Sequence, residues 1–170
     1  FTARPDITHE VVEIFHYLTG RSLKSDYNSL LVAPINMKTR FLEMIRQEIE
    51  HAKAGRPCGI IAKCNSLEEK SIMEALYEAS QAGVPIQLIV RGFCCLRPGV
   101  PGLSEKISVI SILGPFLEHS RVFYFRSGQP NEIDGRFFLG SADWMSRNLL
   151  GRVEVVAPVE DKSAREKIWE

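Results

Sequence analysis

The 170-residue sequence is marked first by what it lacks. It has no G-x-x-x-x-G-K-[ST] phosphate loop, no G-x-G-x-x-G turn and no kinase catalytic loop, so any nucleotide must be handled by another route. Its four cysteines, Cys58, Cys64, Cys94 and Cys95, show no C-x-x-C spacing, and no histidine stands at ligand spacing from a cysteine pair. That pattern disfavours a disulfide framework and a zinc site, and favours a reducing, cytoplasmic setting with the thiols as small buried groups. No apolar run reaches membrane-spanning length and no signal-peptide pattern opens the chain. The formal net charge is zero, which argues against a generic nucleic-acid binder. The sequence begins at Phe1 rather than Met and ends at Glu170 inside a predicted helix, so a piece of a longer protein is expected.

What is present is ordinary in bulk and uneven in distribution. Hydrophobic residues make up 45% and charged residues 25%, the composition of a globular domain with a real core. From Arg91 to Arg152 the chain carries eight basic residues against five acidic ones, and seven of the eight are Arg. Arginine is suited to bidentate contact with phosphate.

Periodicity predicts the elements. Residues 6–18 form a helix with Val11, Val12, Phe15 and Leu18 on its apolar face, ended by Gly20. Residues 30–33 form a short strand stopped by Pro34, and Asn36 caps a long helix carrying Met37, Phe41, Met44, Ile45 and Ile49. A strand over 59–63 is followed by a capping box at 66–69 that starts a helix through Ile72, Leu76 and Ala79, and then by a strand over 84–90. This strand-helix-strand unit predicts a parallel pair with a right-handed crossover. Strands are expected at 108–113, 121–126, 136–140 and 153–158, with a final helix from Asp161. The expected class is α/β, a mixed sheet flanked by helices.

Chemistry is expected beyond the carboxyl ends of strands. Lys63 and Asn65 follow one strand, Arg91 follows the next, and Gly140-Ser141 with Asp143 follow a third. His119 and Arg121 stand at the entrance of a strand, which brings them to the same end only if that strand runs antiparallel. Histidine is a nucleophile or proton carrier near neutral pH, while Arg side chains and Gly-Ser amides hold phosphate oxygens. Asp143 is also placed to cap the turn after Ser141.

The strings carrying these residues resemble two families. His119-Ser120-Arg121 followed by Gly140-Ser141 is similar to the phospholipase D signature, H-x-K with a later G-S. It departs from it at Arg121 for Lys, Arg126 for Asp and Trp144 for Asn. The broader resemblance covers nearly the whole chain. Residues 31–34, 48–55, 63–67, 75–80, 89–99, 117–121 and 140–145 resemble type 1 polyphosphate kinase, in the last of its domains. The resemblance implies a single domain over 1–170, the second of two phospholipase D-like domains facing one cleft, with 1–30 as lead-in helix and linker from the preceding domain.

It further implies reversible transfer of the ATP γ-phosphate to polyphosphate through a phosphohistidine on that preceding domain, upstream of Phe1. Carried over by motif, His119 is a catalytic histidine and Arg91 a contact to ATP phosphates. Lys63, Asn65, Arg121, Ser141 and Asp143 are candidates for the phosphate-binding wall from their positions at strand ends. Magnesium is expected with ATP, its ligands lying outside this chain. ATP or ADP, polyphosphate and the preceding domains are the expected partners, in a homo-oligomer that is cytoplasmic or membrane-associated, with no nucleic acid. A phospholipase D-like phosphodiesterase and a non-catalytic anion-binding module are the competing expectations.

Overall fold

A computed structural model describes residues 2–21 and 26–170. The chain runs α1 (Pro5–Leu18), β1 (Leu31–Ala33), α2 (Met37–Lys53), β2 (Ile60–Cys64), α3 (Lys70–Gln81), β3 (Ile86–Val90), β4 (Ile107–Ile110), β5 (Arg121–Phe125), β6 (Arg136–Gly140), β7 (Glu154–Val159) and α4 (Lys162–Trp169). The seven strands form one mixed sheet in the order β1-β7-β6-β5-β2-β3-β4. β2, β3 and β4 are parallel, whereas β5, β6, β7 and β1 alternate antiparallel. Among the described residues no helix is long and apolar enough to cross a membrane.

Alternation makes the main core. Ile60, Ala62 and Cys64 of β2, with Ile86, Leu88 and Val90 of β3, turn one face toward Phe41 and Ile45 of α2 and Ile72 and Leu76 of α3. An aromatic knot closes it: Phe41 lies 4.7 Å from Phe123 and 5.6 Å from Trp144, and Phe123 lies 5.2 Å from Trp144. Tilted pairs of this kind add about 0.5–1.5 kcal/mol each beyond burial. Trp169 of α4 packs against Tyr124 at 4.9 Å and Phe137 at 6.1 Å.

Four local expectations are corrected. First, α1 does not bury the stripe of Val11, Val12, Phe15 and Leu18; all four are exposed, and Ile7, Glu10 and Ile14 face inward. Glu10 decides this: its carboxylate accepts from the main-chain N–H of Asn28 (2.7 Å), Ser29 (3.2 Å) and Leu30 (2.8 Å). Three donors satisfy the buried charge. Second, Asn36 occupies the cap position of α2 without capping it. Its side chain accepts from Val32 N and donates to the carbonyls of Tyr27 and Leu30. Third, α3 is capped by Glu69, which accepts from Ile72 N at 2.9 Å, rather than by Ser66. Fourth, β4 stops at Ile110, and Ser111 donates to the Arg91 carbonyl instead.

The register fixes where chemistry can gather. Lys63 pairs with Val122, Arg121 with Gly140, and Gly140 with Val156. The C-terminal ends of β2, β3, β4 and β6 and the N-terminal ends of β5 and β7 therefore share one edge. Residues 111–120 leave β4 at that edge and return to β5, so they cross the tips of β3 and β2.

Candidate functional site

Lys63, Asn65, Arg91, Arg121, Ser141 and Asp143 all stand at this edge, as does the segment carrying His119. Two glycines allow the close approaches. A Cβ on Gly92 would sit 2.8 Å from the Asn65 carbonyl oxygen, and one on Gly140 would sit 2.4 Å from Val156 Cγ2 and 2.6 Å from the Val155 carbonyl oxygen. Either position excludes a side chain unless the backbone moves.

On one side the site is anchored. Asp143 is buried, and its Oδ1 accepts from Asn65 N at 2.6 Å and from Arg121 Nε at 3.2 Å, while Oδ2 accepts from Arg121 Nη2 at 3.3 Å. The Asn65 amide lies between the Arg121 guanidinium and the Glu118 carbonyl, and both are satisfied when its oxygen is turned to the first and its nitrogen to the second. Arg121 Nη1 donates to the His119 carbonyl at 2.7 Å. Asp143 thus holds Arg121 and the tip of β2 rather than capping its own turn. The neighbouring Cys64 thiol is pushed up to about 12, first by burial and then by Asp143, so it is no thiolate at neutral pH.

On the other side the contacts run to the crossing loop. Lys63 Nζ lies 2.9 Å from Glu118 Oε1, and donates to Ser120 Oγ at 2.5 Å and to the Ser120 carbonyl at 3.2 Å. Arg91 Nη1 donates to the Glu118 carbonyl at 2.8 Å. The depression between Lys63, Asn65, Arg91, Glu118 and Ser120 has no room for a water molecule while the loop lies there. The Glu118 carboxyl is held down to about 2, first by the Ser120 hydroxyl and then by Lys63.

His119 is exposed, and among the described residues its imidazole has no hydrogen-bonding partner. Ser141 points to β7: its N–H donates to the Val155 carbonyl and its hydroxyl pairs with Glu154. Glu118 and Ser120 were not picked out by sequence reasoning. The available signal was a carboxylate one residue from His119, facing three basic strand ends.

The donor set does not fit a protein-held magnesium ion. Among the described residues no group of three or more His, Cys, Asp or Glu side chains could hold a metal. The carboxylates at this edge are already engaged, Glu118 by Lys63, Asp143 by Arg121, and Glu154 by the Ser141 hydroxyl and the Asn148 amide.

Comparison with known proteins places this geometry in context. The model of polyphosphate kinase C-terminal domain 2 matches residues 30–170. A polyphosphate kinase of Thermosynechococcus vestitus is 52% identical over 170 residues, covering all of this chain and 23% of the relative. The crystal structure of polyphosphate kinase from Porphyromonas gingivalis superposes with a TM-score of 0.92 at 41% identity, over 99% of this chain and 25% of that one. Nuc from Salmonella typhimurium, a phospholipase D family member, gives a TM-score of 0.56 at 15% identity, over 82% of this chain and 87% of its own, a likeness of fold. The chain spans about a quarter of the length of the polyphosphate kinases it matches.

Proposed function

The chain belongs to the polyphosphate kinase family, and from that premise we propose that it supplies one wall of an active site moving the ATP γ-phosphate reversibly onto polyphosphate. The observation that carries this reading is the convergence of Lys63, Arg91 and Arg121 on residues 118–120, the segment that bears His119. Phosphoryl transfer depends on positioning and on neutralising charge over the phosphate oxygens.

In this reading a histidine of the preceding domain attacks the γ-phosphorus and becomes phosphorylated. His119 faces it, donating a proton to the leaving oxygen or a hydrogen bond to the phosphoryl group. Its free imidazole and exposure favour that role. Arg91 and Lys63 receive phosphate oxygens once Glu118 and Ser120 withdraw, with charge-assisted bonds replacing those to the loop. Arg121 stays fixed by Asp143 and orients the strand entrance, Asn65 adds an amide, and Ser141 lies at the rim. Magnesium would be carried with ATP as part of the substrate and would neutralise phosphate charge, and no residue of this chain is assigned to hold it. Residues 1–30 serve as lead-in from the preceding domain. The chain alone is inactive.

The phosphodiesterase reading has less support. Trp144, at the position the phospholipase D signature gives to Asn, is wholly buried in the core. Arg126, at the Asp position, is tied to Glu132 and to the Gln129 carbonyl at the far end of β5.

His119→Ala tests the proposal in the full-length enzyme. Polyphosphate synthesis is expected to fall at least tenfold, since general acid-base catalysis contributes ~10²–10⁴. Near-normal synthesis removes His119 from the reaction.

A further inference from the structure

The opposite edge of the sheet carries a second cluster of cations. Arg136 opens β6 opposite Phe125, four residues from Gly140, so it lies at the end of the strand away from the site above. A cavity of about 280 Å³ is lined there by Asn28, Ser29, Arg40, Arg136, Arg165 and Glu160, with Phe137, Phe138 and Pro158 as its apolar wall. Arg40 Nη1 donates to the Asn28 carbonyl at 3.2 Å and Arg136 Nη1 to Gln47 Oε1 at 3.3 Å. Arg165 donates to the carbonyls of Val159 (2.7 Å) and Ile133 (3.3 Å). The Arg136 guanidinium stands 5.6 Å from the Phe138 ring and that of Arg165 stands 5.9 Å from the Phe137 ring.

These three arginines are held by neutral groups. Among the described residues no carboxylate stands within ion-pairing distance of Arg40, Arg136 or Arg165. Glu160, which also lines the cavity, pairs with Arg4. Glu48, the buried carboxylate whose field reaches Arg136, is engaged by the main-chain N–H groups of Ser127 and Gly59 at 2.7 and 2.9 Å. Arg136 is pushed below its ordinary value, first by burial and then by Arg40. Three guanidinium groups with unmet charge, two of them packed on aromatic faces, are costly in a half-buried setting unless an anion joins them.

We propose that this cavity is a binding site for a short inorganic oligophosphate, separate from the His119 edge. Planar guanidinium groups match phosphate oxygens bidentately, and three of them require several charges at once. The volume is just below the ~300–1,000 Å³ usual for small-molecule pockets, which is more than a lone tetrahedral ion uses. The apolar wall is already covered by the Arg136 and Arg165 guanidinium groups, which leaves no free ring for a base to stack on. The site goes beyond the transfer reaction and does not rest on it.

Calorimetric titration of metal-free tripolyphosphate into the chain tests the assignment. The double variant Arg91→Ala/His119→Ala removes two groups of the first edge and should keep saturable binding. Arg40→Gln/Arg136→Gln should weaken that binding roughly tenfold or more, because two charge-assisted hydrogen-bonding groups are lost at once. Arg165→Gln, on the exposed terminal helix, should weaken it too and carries the test if the double variant melts early by circular dichroism. Absence of saturable binding, as expected if the arginines instead face carboxylates of another protein segment, overturns the proposal. So does loss of binding on changing Arg91 and His119, or an unchanged Kd in the arginine variants. Normal polyphosphate synthesis by His119→Ala would sink the transfer reading while leaving this result standing.

Discussion

Asp143 and Glu118 are carboxylates at the same edge of the sheet, each set against a basic side chain, and they are held by opposite means. Asp143 is 6% exposed and bonds groups from two other segments, Asn65 and Arg121, 78 and 22 residues away. Glu118 has 43% of its side chain exposed and takes its nearest bonds from Ser120, two residues on, and from Lys63. The first arrangement ties strands together. The second ties a crossing loop to strand tips. A site built this way has a fixed floor, Arg121 with Asn65, and an exposed loop lying over Lys63 and Arg91 as its cover. Fixed charges that need no reorganisation are what electrostatic stabilisation of a transition state requires, while the cover must yield for any phosphate to reach the two basic groups beneath it.

The sharpest way to break the comparison is to remove the floor. Asp143→Ala leaves the Arg121 guanidinium, 21% exposed, without its counterion and the Asn65 N–H without an acceptor. Breaking such a pair is expected to cost about 3 kcal/mol in urea unfolding. A cost below ~1 kcal/mol would mean that Asp143 is no more structural than a surface charge.

A smaller effect is expected from Gly140→Ala. The added methyl meets Val156 and the Val155 carbonyl at distances no ordinary contact shows, so β6 and β7 must part. Overpacking of this kind costs about 1–3 kcal/mol, read as a lowered unfolding midpoint with an unchanged m-value. The Gly-Ser pair is thus first a strand-packing requirement, and an unaltered midpoint would show that β7 can shift without cost.

The frame of this site was legible in sequence because it depends on local patterns. Apolar runs located the strands, and the helix between β2 and β3 announced their parallel pairing. Lys63, Asn65 and Arg91 followed from strand ends, and the antiparallel run of β5, left open by the sequence, brings His119 and Arg121 alongside. The cover was not legible, since Glu118 acquires its meaning from Lys63, 55 residues earlier in the chain. The inward turn of α1 was hidden for the same reason: Glu10 finds its donors 18–20 residues on, and periodicity counts an acidic residue as an outward one. Glu69 took the cap from Ser66 because a side chain, and not a spacing, reaches Ile72 N.

The finest test addresses the cover by pH. A Glu118 carboxyl held at about 2 in the folded chain, against an ordinary value of 4.5, favours the docked loop wherever the unfolded group would already be ionised. Its contribution is therefore complete above about pH 4.5 and is lost as pH falls toward 2. NMR titration of the Glu118 carboxyl carbon should show its midpoint near 2, and the amide of Ser120, whose N–H donates to the same carboxylate at 2.8 Å, should move with it. Ser120→Ala should raise that midpoint more than Lys63→Met, because the hydroxyl is the larger cause and the ammonium the second. The global unfolding midpoint should hardly respond to Ser120→Ala, which acts on an exposed loop. A midpoint already at 4.5 in the parent chain would mean that the loop does not rest on Lys63 in solution, and that the floor of the site stands open.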